Sequence, residues 1–204
     1  MSIPTKNSAV TRRRLFLTGG AGAAALGATI VFGASAASAS ERDFSTFRTT
    51  DGDGGEMTNP ANLGSPNYNA GRNGSGVDRI VIHYIVGTLA AADATFADAA
   101  SQVSAHYGIG EGAVHQYVSE ADTAWHAGDL AMNRRSIGIE HSADQSRPPE
   151  ASTYAASVEL CARICRDYGL DPRTQIIGHS SVVSTSCPGT VDLQRIVDET
   201  AAAM

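Results

Sequence analysis

The sequence predicts an α/β domain with a central mixed β-sheet flanked by helices, and three observations carry that expectation. Apolar, β-branched runs alternate along the chain with helical segments, the pattern of a sheet covered by helices. From 150 to 168, Tyr154, Val158, Cys161, Cys165 and Tyr168 recur on one helical face. Between 104 and 118, two strand-like stretches are joined by Gly110-Glu111-Gly112, a hairpin signal that adds an antiparallel pair.

The elements follow in chain order. Asp78 to Ile85 (DRIVIHYI) reads as a buried strand, and the Ala-rich stretch 90–102 as a helix. Ser104 to Ile109 and Val114 to Val118 form the hairpin strands, and Ser136 to His141 (SIGIEH) forms another strand. The helix over 150–168 stops at Gly169. Gln175 to His179 is a short strand, and Val191 to about Ala203 a closing helix. Order is expected from Pro66-Asn67-Tyr68 onward, and no internal repeat is visible.

Ahead of this domain, residues 1–39 have the layout of an export signal. Lys6, Arg12, Arg13 and Arg14 precede an Ala/Gly-rich apolar run, which ends in Ala37-Ser38-Ala39. Arg13-Arg14-Leu15-Phe16-Leu17 resembles the twin-arginine signal read by an exporter of folded proteins. A retained anchor is the alternative, but four glycines weaken the run and the A-x-A end favours cleavage. Residues 40–63 read as a flexible linker of Thr, Gly, Asp, Asn and Ser, leaving 64–204 as the domain. Within the linker, Asp51-Gly52-Asp53 lacks the downstream carboxylate of a calcium loop and reads as a solvated turn.

Composition excludes several classes. At 204 residues, 42% hydrophobic and 18% charged, the chain can bury a core and is not generally disordered. Its net charge of −6 argues against nucleic acid and polybasic lipid binding. Loss of the four basic leader residues takes the charge to −10 and removes Lys6, the one lysine, so no mature function can use a lysine. Of the three cysteines, Cys161 and Cys165 fall on the apolar helix stripe and read as packing residues; a disulfide one turn apart has poor geometry. Cys187 is the odd thiol of an exported chain: reactive, paired between chains, or bound to metal.

Three residues are candidate ligands. His83 lies inside an apolar strand, where a lone histidine is ordinarily a satisfied core residue. His179 ends the strand QIIGH, and Cys187 follows in TSCPG. Two imidazoles and a thiolate give Zn²⁺ three protein ligands and leave a fourth position open, the catalytic rather than the structural pattern.

VIHYIVGT, VSAHYGIGEGAVHQYV, AWHAG, SIGIE, GHSSV and TSCPG follow in that order. Together they resemble the type 2 N-acetylmuramoyl-L-alanine amidases, the family that includes phage lysozyme-type amidases and animal peptidoglycan recognition proteins. The resemblance covers about 64–203. It implies the type 2 amidase fold, zinc held by His83, His179 and Cys187, and cleavage of the amide between the lactyl group of N-acetylmuramic acid and L-alanine of the stem peptide. It also implies Glu140 of SIGIE as the acid/base, because the position of the tyrosine used by other members is Ala105 here. Tyr107, two residues on, is a weaker candidate. A lysine that many members carry two residues before the last ligand is Thr185 here, a neutral donor to an oxyanion. His126 of AWHAG resembles a family histidine near the substrate carbonyl. Trp125 and Tyr84 could offer apolar contact to sugar or peptide, although Trp125 fits a core position equally.

The remaining histidines have plainer readings: His106 a core hydrogen-bonding residue, His115 on the hairpin surface, His141 opposite Glu140 by strand alternation. The expected partner is peptidoglycan or its muropeptides, with no nucleic acid, no membrane after signal cleavage, and a monomeric secreted or cell-envelope protein. A non-catalytic peptidoglycan-binding module on the same fold is the rival; it is disfavoured because that branch usually loses the cysteine ligand. A zinc peptidase of another fold lacks its H-E-x-x-H motif.

Overall fold

The computed structural model describes residues 58–204; the leader, the Asp51–Asp53 turn and most of the expected linker lie outside them. In chain order the elements are β1 (Thr58–Asn62), β2 (Tyr68–Asn69), β3 (Arg79–Tyr84), α1 (Leu89–Ala97), β4 (Tyr107–Gly110), β5 (Ala113–Gln116) and β6 (Thr123–Ala124). They continue with α2 (Leu130–Arg135), β7 (Ser136–His141), α3 (Ala151–Tyr168), α4 (Pro172–Gln175), β8 (Ile176–Gly178) and α5 (Leu193–Ala202). Six strands form one sheet in the order β1-β5-β4-β7-β3-β8, and β2 and β6 form a separate antiparallel pair. The hairpin pair β4–β5 is antiparallel and the other pairings of the main sheet are parallel, so the sheet is mixed as expected. β1 falls inside the stretch expected as linker: its backbone pairs with β5 although its sequence, TNPAN, carries no strand pattern.

Strand alternation divides the core in two. Ile80, Ile82, Tyr84, Tyr107, Ile109, Val114, Ile137 and Ile139 face α3 and α5 and pack with Leu160, Cys161, Ile164, Cys165 and Ile196. The helix stripe therefore reads correctly: Cys161 and Cys165 are fully buried and free. Burial pushes the Cys165 thiol up to about 11 and the Cys161 thiol further, so both behave as small apolar groups. Helix α3 ends at Gly169, whose left-handed backbone lets its N–H return to Cys165 O. On the other face, Phe96 and Ala92 of α1 cover Ala105, Tyr117, Val118 and Ala124.

Besides β1, four elements were not legible. The two-residue strands β2 and β6, the four-residue α4 and the six-residue α2 are too short for a periodicity to show. Helix α1 also starts without help from its own cap residue. Thr88 makes no side-chain bond, and Glu111 of the hairpin turn instead accepts from Leu89 N (2.8 Å) while bonding Ser142 Oγ. Among the described residues no helix is long and apolar enough to cross a membrane.

Candidate metal centre and active site

Register brings the site together. His83 of β3 pairs with Glu140 of β7, and Glu140 with Gly108 of β4, so these positions form one row on the α1 face of the sheet. Gly178 of β8 pairs with Ile82, and His179, one residue on, continues that row beyond the strand end. Cys187 reaches the same place from the loop before α5. Its loop is held on both sides: Ser180 N donates to Cys187 O (2.9 Å), and the Tyr84 hydroxyl lies 3.1 Å from Ser186 Oγ.

His83, His179 and Cys187 each present a potential ligand atom within 4.8 Å of the others. Cys187 Sγ lies 3.6 Å from His83 Nδ1. Tetrahedral Zn–N and Zn–S bonds of about 2.05 and 2.3 Å set their ligand atoms about 3.6 Å apart, so this donor set and spacing fit zinc. Burial pushes the Cys187 thiol up to about 12. Burial, followed by the neighbouring His126 and His179 rings, holds His83 well below the usual histidine range, so the imidazole is neutral and able to ligate.

Hydrogen bonds on the side of the histidines away from Cys187 engage one nitrogen of each ring. His179 Nε2 lies 3.1 Å from Ala127 O, and a carbonyl can only accept, so Nε2 donates there and Nδ1 is the nitrogen turned toward the cluster. His83 Nε2 lies 3.0 Å from His126 Nδ1. The loop that supplies both contacts is pinned by the buried Asn133, whose Oδ1 accepts from His126 N (3.1 Å) and Ala127 N (2.7 Å).

His126 is accordingly not where the resemblance placed it. Its ring lies behind His83, is 9% exposed, and has both nitrogens engaged: Nδ1 with His83 and Nε2 with Ser136 Oγ at 3.2 Å. No ring nitrogen is left for a substrate carbonyl. Gly138 makes this possible, because a Cβ there would lie 2.5 Å from His126 Cγ.

Glu140 stands in the ligand row with its Oε2 buried and without a hydrogen-bond partner. Burial pushes its carboxyl up to about 8. Glu140 is partly exposed as a residue, but this oxygen is buried beside the His83–His179–Cys187 cluster with no partner, which sets it apart from a solvated surface acid. Tyr117 closes the far side, its hydroxyl reaching over Gly108, where a Cβ would lie 2.8 Å from it, and donating to Asp93 Oδ1 (2.7 Å). Thr185 lies exposed on the Cys187 loop. Its Oγ1 accepts from Cys187 N (3.2 Å), which leaves the hydroxyl proton available.

Of the lesser candidates, Tyr107 turns away from the site and Tyr84 supports the Cys187 loop from the core side. Tyr107 pairs with Ile139 and so faces α3, its hydroxyl donating to Glu120 Oε1 at 2.6 Å, while Ala105 packs under α1. The regular strand begins only at Tyr107, so alternation does not carry back to Ala105. Tyr84 is a core residue beneath the Cys187 loop. Trp125 is half-buried and donates from Nε1 to Asn69 Oδ1 (2.8 Å). His106 is a core residue accepting from Gly138 N (3.0 Å), and His141 lies opposite Glu140, as anticipated. His115 is more enclosed than a hairpin surface would make it, paired to Asp93 Oδ1 at 2.8 Å.

The sequence reading missed Asn133, Ser136 and Gly138 as supports of the site. Ser136, Gly138 and Glu140 alternate on one face of β7, so two small residues beside the acid were a visible sign of something packed there; its identity was not.

A mixed sheet with a His-His-Cys cluster at the strand ends and an acid beside it is the arrangement of an α/β hydrolytic domain with a candidate metal site. The family model described as N-acetylmuramoyl-L-alanine amidase matches residues 73–190, and the chain belongs to the type 2 N-acetylmuramoyl-L-alanine amidase family. It is 34% identical over 125 residues to N-acetylmuramoyl-L-alanine amidase A of Achromobacter lyticus, covering 58% of this chain and 66% of that protein. It is 25% identical over 147 residues to the amidase BlyA of Bacillus subtilis, covering 60% of this chain and 40% of that one. The chain thus spans two thirds or less of the length of both relatives. Among solved structures, a selenomethionine AmpD derivative superposes with TM-score 0.59 at 24% identity, covering 69% of this chain and 93% of that one. A mutant endolysin from Bacillus subtilis gives 0.57 at 22%, covering 72% and 98%. At these identities the likeness is one of fold.

Proposed function

We propose that the protein is a zinc-dependent peptidoglycan hydrolase that cleaves the amide between the lactyl group of N-acetylmuramic acid and L-alanine of the stem peptide. The observation that carries this reading is the juxtaposition of His83, His179 and Cys187 with the orphaned carboxyl of Glu140 in one row of the sheet. Both named relatives are N-acetylmuramoyl-L-alanine amidases, which supports the same bond as substrate.

Zinc held by the three ligands would polarise the scissile carbonyl and acidify an attacking water. The residues of this chain do the rest. Glu140 takes the proton from the water as it attacks, and its raised affinity for that proton then suits delivery to the leaving amine of L-alanine. The Thr185 hydroxyl donates to the oxygen that gains charge. With the leader's lysine removed, no cationic side chain of lysine type assists, so the proton work falls on the carboxylate.

The protein acts outside the cytoplasm in this reading, cleaved from its leader after twin-arginine export, which Arg13→Lys with Arg14→Lys should block. The function itself is tested by zinc analysis of the mature protein and mass spectrometry of products from defined muropeptides. One zinc per chain and release of an intact stem peptide beginning in L-alanine are expected. Zinc binding without cleavage of any muropeptide or intact wall would instead assign a binding module, and normal secretion of the double arginine variant would remove the export route.

A further inference from the structure

We propose that His126 is a positioning residue: it holds His83 in the Nε2-protonated form, so that Nδ1 is presented to the metal. The proposal rests on the zinc reading of the His83 cluster and concerns the hydrogen-bond chain behind it.

The chain has one consistent assignment. Ser136 Oγ lies 2.6 Å from Met132 O, and the carbonyl can only accept, so the single hydroxyl proton of Ser136 is spent there. Ser136 Oγ is 3.2 Å from His126 Nε2 and must therefore accept, which puts a proton on His126 Nε2. A neutral imidazole then has an unprotonated Nδ1, and that nitrogen lies 3.0 Å from His83 Nε2. His83 Nε2 must donate, and His83 Nδ1 is left with its lone pair toward Cys187 Sγ, 3.6 Å away. A backbone carbonyl thus sets the tautomer of a metal ligand through a serine and a second histidine. His179 reaches the same state in one step, through Ala127 O.

His126 itself is held from two directions. Its backbone N–H is fixed by Asn133 Oδ1, and its ring lies in the gap above Gly138 that a methyl group would fill. A ring held only for packing needs no ordered acceptor chain reaching a carbonyl. Partners that orient metal-bound histidines typically change metal affinity 10–100-fold when removed.

The test is long-range proton–nitrogen spectroscopy of the mature chain labelled with ¹⁵N-histidine, zinc-free and zinc-loaded, together with zinc competition. In the zinc-free protein His83 and His126 should both show a protonated Nε2 and a bare Nδ1, and zinc should shift Nδ1 of His83. His126→Leu removes the acceptor, and His83 should then populate both tautomers while zinc binds 10–100-fold more weakly. His126→Asn, whose Oδ1 can stand in for Nδ1, should restore affinity to within a few-fold. Gly138→Ala, which displaces the ring without altering either histidine, should behave like His126→Leu. A zinc-free His83 protonated on Nδ1 overturns the proposal, as does a folded His126→Leu chain with the parent's His83 spectrum and zinc affinity. If His126→Leu fails to fold, the spectrum of the unsubstituted chain decides alone. A chain with the expected tautomers that binds no zinc refutes the zinc reading and leaves the relay standing.

Discussion

Glu140→Gln separates the two consequences of burying a carboxyl beside the metal position. In the zinc-free protein the carboxyl titrates near 8 rather than 4.5, because burial penalises its charged form and Oε2 has no hydrogen bond to offset that. The folded state therefore holds its proton more tightly than the unfolded chain. The associated stability is fully present below pH 4.5 and is lost as pH rises through 8. One pKa unit corresponds to about 1.4 kcal/mol, so the loss over the window is roughly 3–5 kcal/mol. Glutamine cannot ionise, so the variant should lack this slope and be the more stable chain above pH 8. Urea unfolding of zinc-free parent and variant at pH 5, 7 and 9 measures the difference, and the comparison cancels the other titrating groups. In the zinc-loaded enzyme the same substitution should lower kcat by about 10²–10⁴-fold, the usual contribution of a general acid–base group, with zinc content unchanged. Parallel stability profiles for the two chains would refute the burial argument. A near-parental kcat in Glu140→Gln would refute the assignment of proton transfer to this residue.

Zinc binding should release protons, because the Cys187 thiol is pushed up to about 12 and must ionise to ligate; affinity should rise with pH between 6 and 8, and calorimetry in buffers of different ionisation enthalpy should show that release. Thr185→Val should cost roughly 10-fold in kcat, about 1.4 kcal/mol for one neutral donor, and clearly less than Glu140→Gln; if it proves the more damaging, the roles are inverted. His141 is held near 4 by burial, so its stabilising contribution is complete above its ordinary 6.5 and is lost as pH falls through 4. The acid limb of the zinc-free stability profile should accordingly be shallower by about 3 kcal/mol in His141→Asn than in the parent. Ile82→Ala, in the fully buried α3-facing core, should cost about 2–5 kcal/mol in urea unfolding without changing zinc stoichiometry.

What could be read from the sequence was whatever a short window contains. The 3.6-residue stripe of α3 placed Cys161 and Cys165 in the core, and the alternation of SIGIEH set Glu140 and His141 on opposite faces. The hairpin turn at Gly110-Glu111-Gly112 gave the antiparallel pair. That His83, His179 and Cys187 cluster was legible from residue types in an ordered motif set, which is how three distant positions could be named together. Other features depend on pairings between segments remote in the chain, which no local pattern encodes. Whether Tyr107 faces Glu140 or α3 turns on where the regular pairing of β4 with β7 begins. That β1 exists at all depends on β5 offering a free edge to a segment with no strand pattern of its own. His126 was recognised as a residue of interest, yet its role was set by three contacts: Ser136 below it, His83 above it, and the gap over Gly138 beside it. Residue chemistry made these histidines able to ligate or to donate; the fold, by fixing which nitrogen meets which acceptor, chose between the two.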